Sequence, residues 1–166
     1  KLSPPGAWPI SAQPVPLRVL VPDTQQIENW QENRASKYIE EKTNVKAEYQ
    51  VAVGNFMQHV NLVLASGDYP DVIMGAETNF FGIPNDVIVR YGSRGVFLPL
   101  NDLIEKNAPN IKKMFEADPW IKKVITTPDG NIYSLPLIND DYHGKFGDKL
   151  YINTDWLKKL GLAMPT

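Results

Sequence analysis

Apolar residues in the first half of the chain come in short runs separated by stretches of helical period. Leu17 to Val21 (LRVLV) is a β-branched run closed by Pro22-Asp23, the pattern of a strand buried on both faces. Through IENWQENRASKYIEEKTN the larger side chains Ile27, Trp30, Arg34, Tyr38 and Ile39 recur at steps of three and four, which predicts one amphipathic helix ending near Asn44. Val45 to Val51 (VKAEYQV) alternates with period two. NFMQHVNLVLASG then sets Phe56, Met57, Val60, Val63 and Leu64 on one helical face, between an Asn55 N-cap and a Gly67 stop. After the turn Gly67-Asp68-Tyr69-Pro70, Asp71 to Met74 (DVIM) supplies a third short strand. Strand, helix, strand, helix, strand in this order specifies right-handed βαβ units on a parallel sheet, an α/β layer.

Beyond Met74 the period loosens into GAETNFFGIPND, and a short helix is expected around Val87 to Tyr91. Asn101 is placed to cap LNDLIEKN, and Pro109 divides that helix from NIKKMFEA. Pro119 suits the first turn of PWIKKVI, in which Trp120, Ile121, Val124 and Ile125 are expected to face a core. Pro128-Asp129-Gly130-Asn131 predicts a turn feeding NIYSLPL as a strand. KLYIN, Lys149 to Asn153, reads as a further strand, and Thr154 with Asp155 opens a helix, WLKKLG, stopped by Gly161. At the other end KLSPPGAWPISAQPVP carries five prolines and no usable apolar period, so it reads as an extended arm. The expected division is an arm over 1–15, an α/β lobe over 16–137, and a final part over 138–166 that looks cut rather than finished.

Composition narrows the function. With 17 basic and 19 acidic residues the formal charge is −2, which offers no basic footprint for nucleic acid. No apolar run approaches the ~20 residues that span a bilayer. The absence of cysteine removes disulfides, thiolate metal sites and a cysteine nucleophile.

Candidate chemistry lies in the loops. Gly54, Gly75 and Gly82 assemble neither a dinucleotide fingerprint nor a phosphate-binding loop. His59 sits in a helix beside its apolar stripe and reads as a surface or boundary residue. His143, within NDDYHG, has Asp140, Asp141 and Asp148 nearby, but their spacing matches no calcium or zinc motif. Glu77 and Asp140 form a conceivable carboxylate pair for glycoside hydrolysis, which requires two carboxyls about 5 to 9 Å apart. Ligands of parallel α/β sheets bind outside the carboxyl ends of the strands. The loops expected there, PDTQQ after the first strand and GAETNFF after the third, combine amides, hydroxyls and carboxylates with Phe80 and Phe81. Such groups hydrogen-bond sugar hydroxyls while an aromatic ring covers the apolar face of a pyranose; equally, loops are polar because they are wet.

From Thr43 onward a series of segments carries a resemblance: TNVKAEYQ, LVLASGDYPDVIMG, YGSRGVFLPLNDLIEKNAPNIKKMF, PDGNIYSLP and LYINTDWLKKLGLAMPT. In this order they resemble the extracellular solute-binding proteins of bacterial ABC importers, in the group that binds oligosaccharides, alginate oligosaccharides included. The resemblance implies the amino-terminal lobe of a type II periplasmic-binding-protein fold, with a mostly parallel sheet flanked by helices and the first strand crossing to a second lobe. It implies a non-enzymatic receptor that hands a carbohydrate to the transmembrane subunits of a permease. The setting it implies is extracytoplasmic, in the periplasm or lipid-anchored on the outer face of the cytoplasmic membrane. No cofactor is implied in this chain, though a structural calcium in the second lobe is. Carried over by position, the ligand-binding residues are Asp23, Thr24 and Gln25, then Glu77, Thr78, Asn79 and Phe80, then Asn139, Asp140 and Tyr142 near the hinge. Between Pro136 and Leu150 the chain is longer and more acidic than a minimal crossing requires. A fragment of a carbohydrate-active hydrolase and a non-catalytic interaction domain are the alternatives.

Overall fold

Val15–Pro22 (β1), Val45–Ala52 (β2) and Val72–Ile73 (β3) form a three-stranded sheet in the order β2-β1-β3, and both pairings are parallel. The computed structural model describes residues 2–75, 82–138 and 151–165. β1 lies at the centre, which explains its unbroken apolar run: Val19, Leu20 and Val21 are all buried. The chain passes from β1 to β2 on one side and then back past β1 to β3 on the other, an order in which right-handed crossovers place their helices on opposite faces. Arg18 fixes the return. Its guanidinium lies 2.8 Å from Asp68 and also donates to the Tyr69 carbonyl, while its backbone N–H donates to Asp71 Oδ2 at 2.8 Å, so the turn before β3 is held against β1.

The second connecting helix, α2 (Phe56–Ser66), follows the apolar period closely. Asn55 accepts the Gln58 N–H as N-cap, Gly67 ends the helix at φ 80°, and Phe56, Val60 and Leu64 are buried against Leu20 and Ala52. The first connecting helix differs from expectation. Only Arg34–Thr43 is helical (α1), because Asn33 acts as N-cap by accepting the Ser36 N–H at 2.9 Å. Residues 27–33 form turns instead, and the expected core-facing Tyr38 and Ile39 remain 60% and 52% exposed.

Below the sheet, Asn85–Gly92 (α3) completes the first core through Val87, and Asn101–Asn107 (α4), Pro109–Ala117 (α5) and Pro119–Ile125 (α6) build a second around Ile104, Phe115 and Ile132. Asn101 is the first residue of α4 and not its cap. Its side chain reaches out of the helix, donating to the Gly130 carbonyl and accepting the Ile132 N–H at 2.9 Å. This is why NIYSLPL forms no strand. The Ile132 N–H is taken by Asn101, its carbonyl by the Leu100 N–H at 2.7 Å, and only an isolated bridge to Thr126 survives. In α6, Ile121 and Ile125 pack on the second core as expected, but Trp120 and Val124 are 64% and 56% exposed.

The proline-rich arm folds back on itself rather than extending. Leu2 bridges Ser11, the Ile10 N–H donates to the Thr43 carbonyl at 3.0 Å, and Asn44 Nδ2 donates to the Ser11 carbonyl, which fastens the arm to the junction of α1 and β2. The chain divides into two compact units, Lys1–Leu135 and Pro136–Thr166. Within the second, Thr154–Leu160 (α7) is capped by Asn153, which accepts the Asp155 and Trp156 N–H groups, and stops at Gly161 with φ 66°. The described part of the expected strand KLYIN, residues 151–153, is not in a strand.

Candidate functional site

A central strand whose two crossovers leave in opposite directions creates a crevice at its carboxyl end. In this sheet that point is the end of β1, so the chain from Asp23 onward is where side chains become available to a ligand. Asp23 is anchored by its backbone N–H to the Ala52 carbonyl, the last residue of β2, at 3.3 Å. The loop then turns sharply. Asn29 Oδ1 accepts the N–H groups of Gln31 and Glu32, and Asn33 Nδ2 donates to the Trp30 carbonyl at 2.8 Å, which freezes Trp30 between two asparagine-supported turns.

The result is a cavity of about 220 Å³ lined by Asp23, Ile27, Glu28, Asn29, Trp30, Gln31, Tyr49 and Val51. Tyr49 and Val51 belong to β2 and pair in register with Val19 and Val21, so they lie on the same sheet face. Trp30 packs on Tyr49 with ring centroids 5.6 Å apart and planes tilted by 34°. Two side-chain polar atoms of this loop are withdrawn from solvent and have no hydrogen-bond partner among the described residues: Trp30 Nε1, and Thr24 Oγ1 outside the cavity lining. An unmet buried polar group costs about 1–3 kcal/mol, so the loop keeps two groups that folding leaves unbonded.

Of the residues expected from sequence, Asp23 lines the cavity, while Thr24 and Gln25 follow it in the same loop without lining it. Glu77, Thr78, Asn79 and Phe80 lie outside the described residues, as do Asn139, Asp140 and Tyr142, and so do the hydrolase pair and the acidic group around His143. The cavity adds Glu28 and Trp30, which sequence reasoning missed because Ile27 to Asn44 was read as one helix, and Tyr49 of β2. The signal was present in Asn29 and Asn33, two residues that favour turns and caps inside that supposed helix. His59, half-buried on α2, lies with Nε2 2.9 Å from the Val53 carbonyl, a boundary position.

A second cavity, of about 300 Å³, is lined by residues of α4 and α5 together with Pro5. Two of its charges meet within it, Lys112 Nζ lying 2.5 Å from Glu105 Oε1. The first cavity is the one lined by Trp30, which carries an unmet polar atom. No serine, cysteine or histidine lines it, so among the described residues it offers groups for holding a ligand and no nucleophile with a base to activate it.

Comparison with known proteins places the chain in a family. Residues 23–166 match the family model for bacterial extracellular solute-binding proteins. The chain is 38% identical over 132 residues to the fructooligosaccharide ABC transporter substrate-binding protein FusA of Streptococcus pneumoniae, covering 76% of this chain and 24% of that protein. Among solved structures, an EF-hand mutant of FusA in complex with fructo-nystose is 33% identical with a TM-score of 0.69, covering 90% of this chain and 31% of that one. The alginate-binding protein AlgQ2 without calcium ion is 34% identical with a TM-score of 0.66, covering 93% and 31%. The chain thus spans between a quarter and a third of the length of these relatives.

Proposed function

The chain belongs to the bacterial extracellular solute-binding proteins, and from that premise we propose that it forms the amino-terminal ligand-binding lobe of an ABC importer's receptor for an oligosaccharide. The family is one of binding proteins, not of enzymes. The observation that carries the ligand class is the cavity at the end of β1, where the Trp30–Tyr49 pair adjoins the exposed carboxylates of Asp23 and Glu28. Stacked rings accept the apolar face of a sugar, and the polar groups accept or donate to its hydroxyls.

Asp23, Thr24 and Gln25 act from this loop. Glu77, Thr78, Asn79 and Phe80 act from the loop after β3, and Asn139, Asp140 and Tyr142 act from the segment leading to the second lobe. A cavity of about 220 Å³ is smaller than the 300–1,000 Å³ of most ligand sites, as expected for one wall of a cleft that a second lobe completes by hinge closure. The receptor delivers its ligand to permease subunits on the outer face of the cytoplasmic membrane, in the periplasm or held there by a lipid anchor. The EF-hand named for the FusA mutant supports a structural calcium in the longer protein. Among the described residues no group of three or more His, Asp or Glu is placed to hold a metal.

Titration calorimetry of the full-length protein against a panel of oligosaccharides tests this reading. Binding of at least one saccharide is expected, weakened tenfold or more by Trp30→Ala. Absence of heat with every saccharide would remove the carbohydrate-receptor reading in favour of an interaction domain.

A further inference from the structure

The relatives are named for two chemically different ligands, a neutral fructan and the polyuronate alginate. The charges around the cavity bear on which class fits. Its two ionisable carboxylates, Asp23 and Glu28, are both exposed at its lining, and among the described residues no lysine or arginine lines it. Neither carboxylate has a salt-bridge partner among the described residues, so their charge is left for the ligand to meet. Arg18, the cation on β1, is held by Asp68 and the Tyr69 carbonyl.

We propose that Asp23 and Glu28 make this site selective for neutral saccharides and set it against uronate-bearing ones. The proposal rests on the carbohydrate-receptor reading and specifies its substrate class. A hydroxyl can donate to a carboxylate. A uronate carboxylate only accepts, so against Asp23 and Glu28 it makes no bond and faces like charges that cleft closure strips of water. Unpaired like charges are a common means of rejecting the wrong ligand.

The test is competition between nystose and an alginate tetrasaccharide for the full-length protein, read by calorimetry at two ionic strengths. Nystose is expected to bind at least tenfold more tightly. Added salt is expected to strengthen alginate binding while moving nystose little, because salt screens exposed like charges. The double variant Asp23→Asn with Glu28→Gln, checked for folding by circular dichroism, is expected to narrow the ratio threefold or more. Equal or tighter binding of the uronate, or a ratio that the variant and salt leave unmoved, overturns the proposal while the receptor reading stands. Binding of neither sugar, nor of any other oligosaccharide of the panel, overturns both.

Discussion

Two polar loops of similar composition lie in the first unit, the loop from Asp23 to Asn33 and the turn from Thr127 to Tyr133, and they use their polar groups in opposite ways. In the turn the groups bond to one another. Asp129 accepts from the Asn131 N–H at 3.0 Å and the Tyr133 hydroxyl at 2.8 Å, the Thr127 hydroxyl lies 2.5 Å from Asp129 Oδ1, and Asn101 closes the ring from α4. In the loop, Asn29 and Asn33 shape the backbone, but the side chains of Asp23, Gln25 and Glu28 make no hydrogen bond among the described residues. Thr24 Oγ1 and Trp30 Nε1 are withdrawn from water with nothing to bond among the described residues. Polarity alone does not mark a site. A polar group left unmet inside a well-supported loop does, because folding has made no use of it.

The contrast predicts that substitutions in the turn act on stability and substitutions in the loop act on ligand. The largest effect is expected at Ile132, which is 2% exposed and joins the turn to the second core beside Ile104 and Phe115. Ile132→Ala should lower stability by about 2–5 kcal/mol, seen as a lower urea midpoint for the full-length protein. A loss below about 1 kcal/mol would mean that the turn is not anchored there.

How far the sequence reveals this contrast depends on the range of the interactions. The capping of α2 by Asn55 and Gly67, and the stop of α7 at Gly161, are local: each needs only residues within four positions, and each was readable. The sheet too was readable, because a strand buried on both faces has to be apolar throughout, as Val19 to Val21 are. Asn101 was read as a cap because nothing nearby in sequence shows that its partners are Gly130 and Ile132, some thirty residues on. The same limit hid Tyr49 from the site, since its neighbour Trp30 approaches across the sheet edge rather than along the chain. Asp23 was found from the rule that ligands gather at strand ends, which follows from topology alone.

Asn101→Ala should be the next largest effect. It leaves the Ile132 N–H without its acceptor and the Gly130 carbonyl without its donor, and an unmet backbone group costs about 1–3 kcal/mol when buried. Hydrogen exchange should show the Ile132 amide losing protection first. If its protection is unchanged, another group has taken over the acceptor role and the turn is not held as described.

Asp129→Asn should change the response to acid. Its carboxyl is held well below the usual carboxylate range, first by the Thr127 hydroxyl, then by the Asn131 N–H and the Tyr133 hydroxyl. A depressed folded-state value means that the ionised form contributes stability above the unfolded value of about 4, and that this contribution is lost as pH falls toward the folded value. Tyr133, raised mainly by its bond to Asp129, acts in the opposite sense: its contribution holds below about 10 and is lost as pH rises through the folded value. Urea midpoints measured from pH 7 to 2 should fall less steeply below pH 4 in Asp129→Asn than in the unaltered protein. Equal slopes would show that the carboxylate is not favoured by the fold.

Thr24→Val should have the smallest effect on stability and separates the two loops most directly. Valine keeps the branched shape of threonine and removes only the hydroxyl. At most positions that exchange is unfavourable because the hydroxyl has a partner. Thr24 Oγ1 has none, and a methyl group is easier to bury than an unmet oxygen, so the urea midpoint should hold or rise slightly. A bound sugar changes the balance. If its hydroxyl completes the bond, Thr24→Val forfeits about 0.5–1.5 kcal/mol of affinity, about two- to thirteenfold by calorimetry. Unchanged stability with weakened binding would assign the oxygen to the ligand. Destabilisation with unchanged binding would give Thr24 the same structural role as Asn101 and erase the distinction between the loop and the turn.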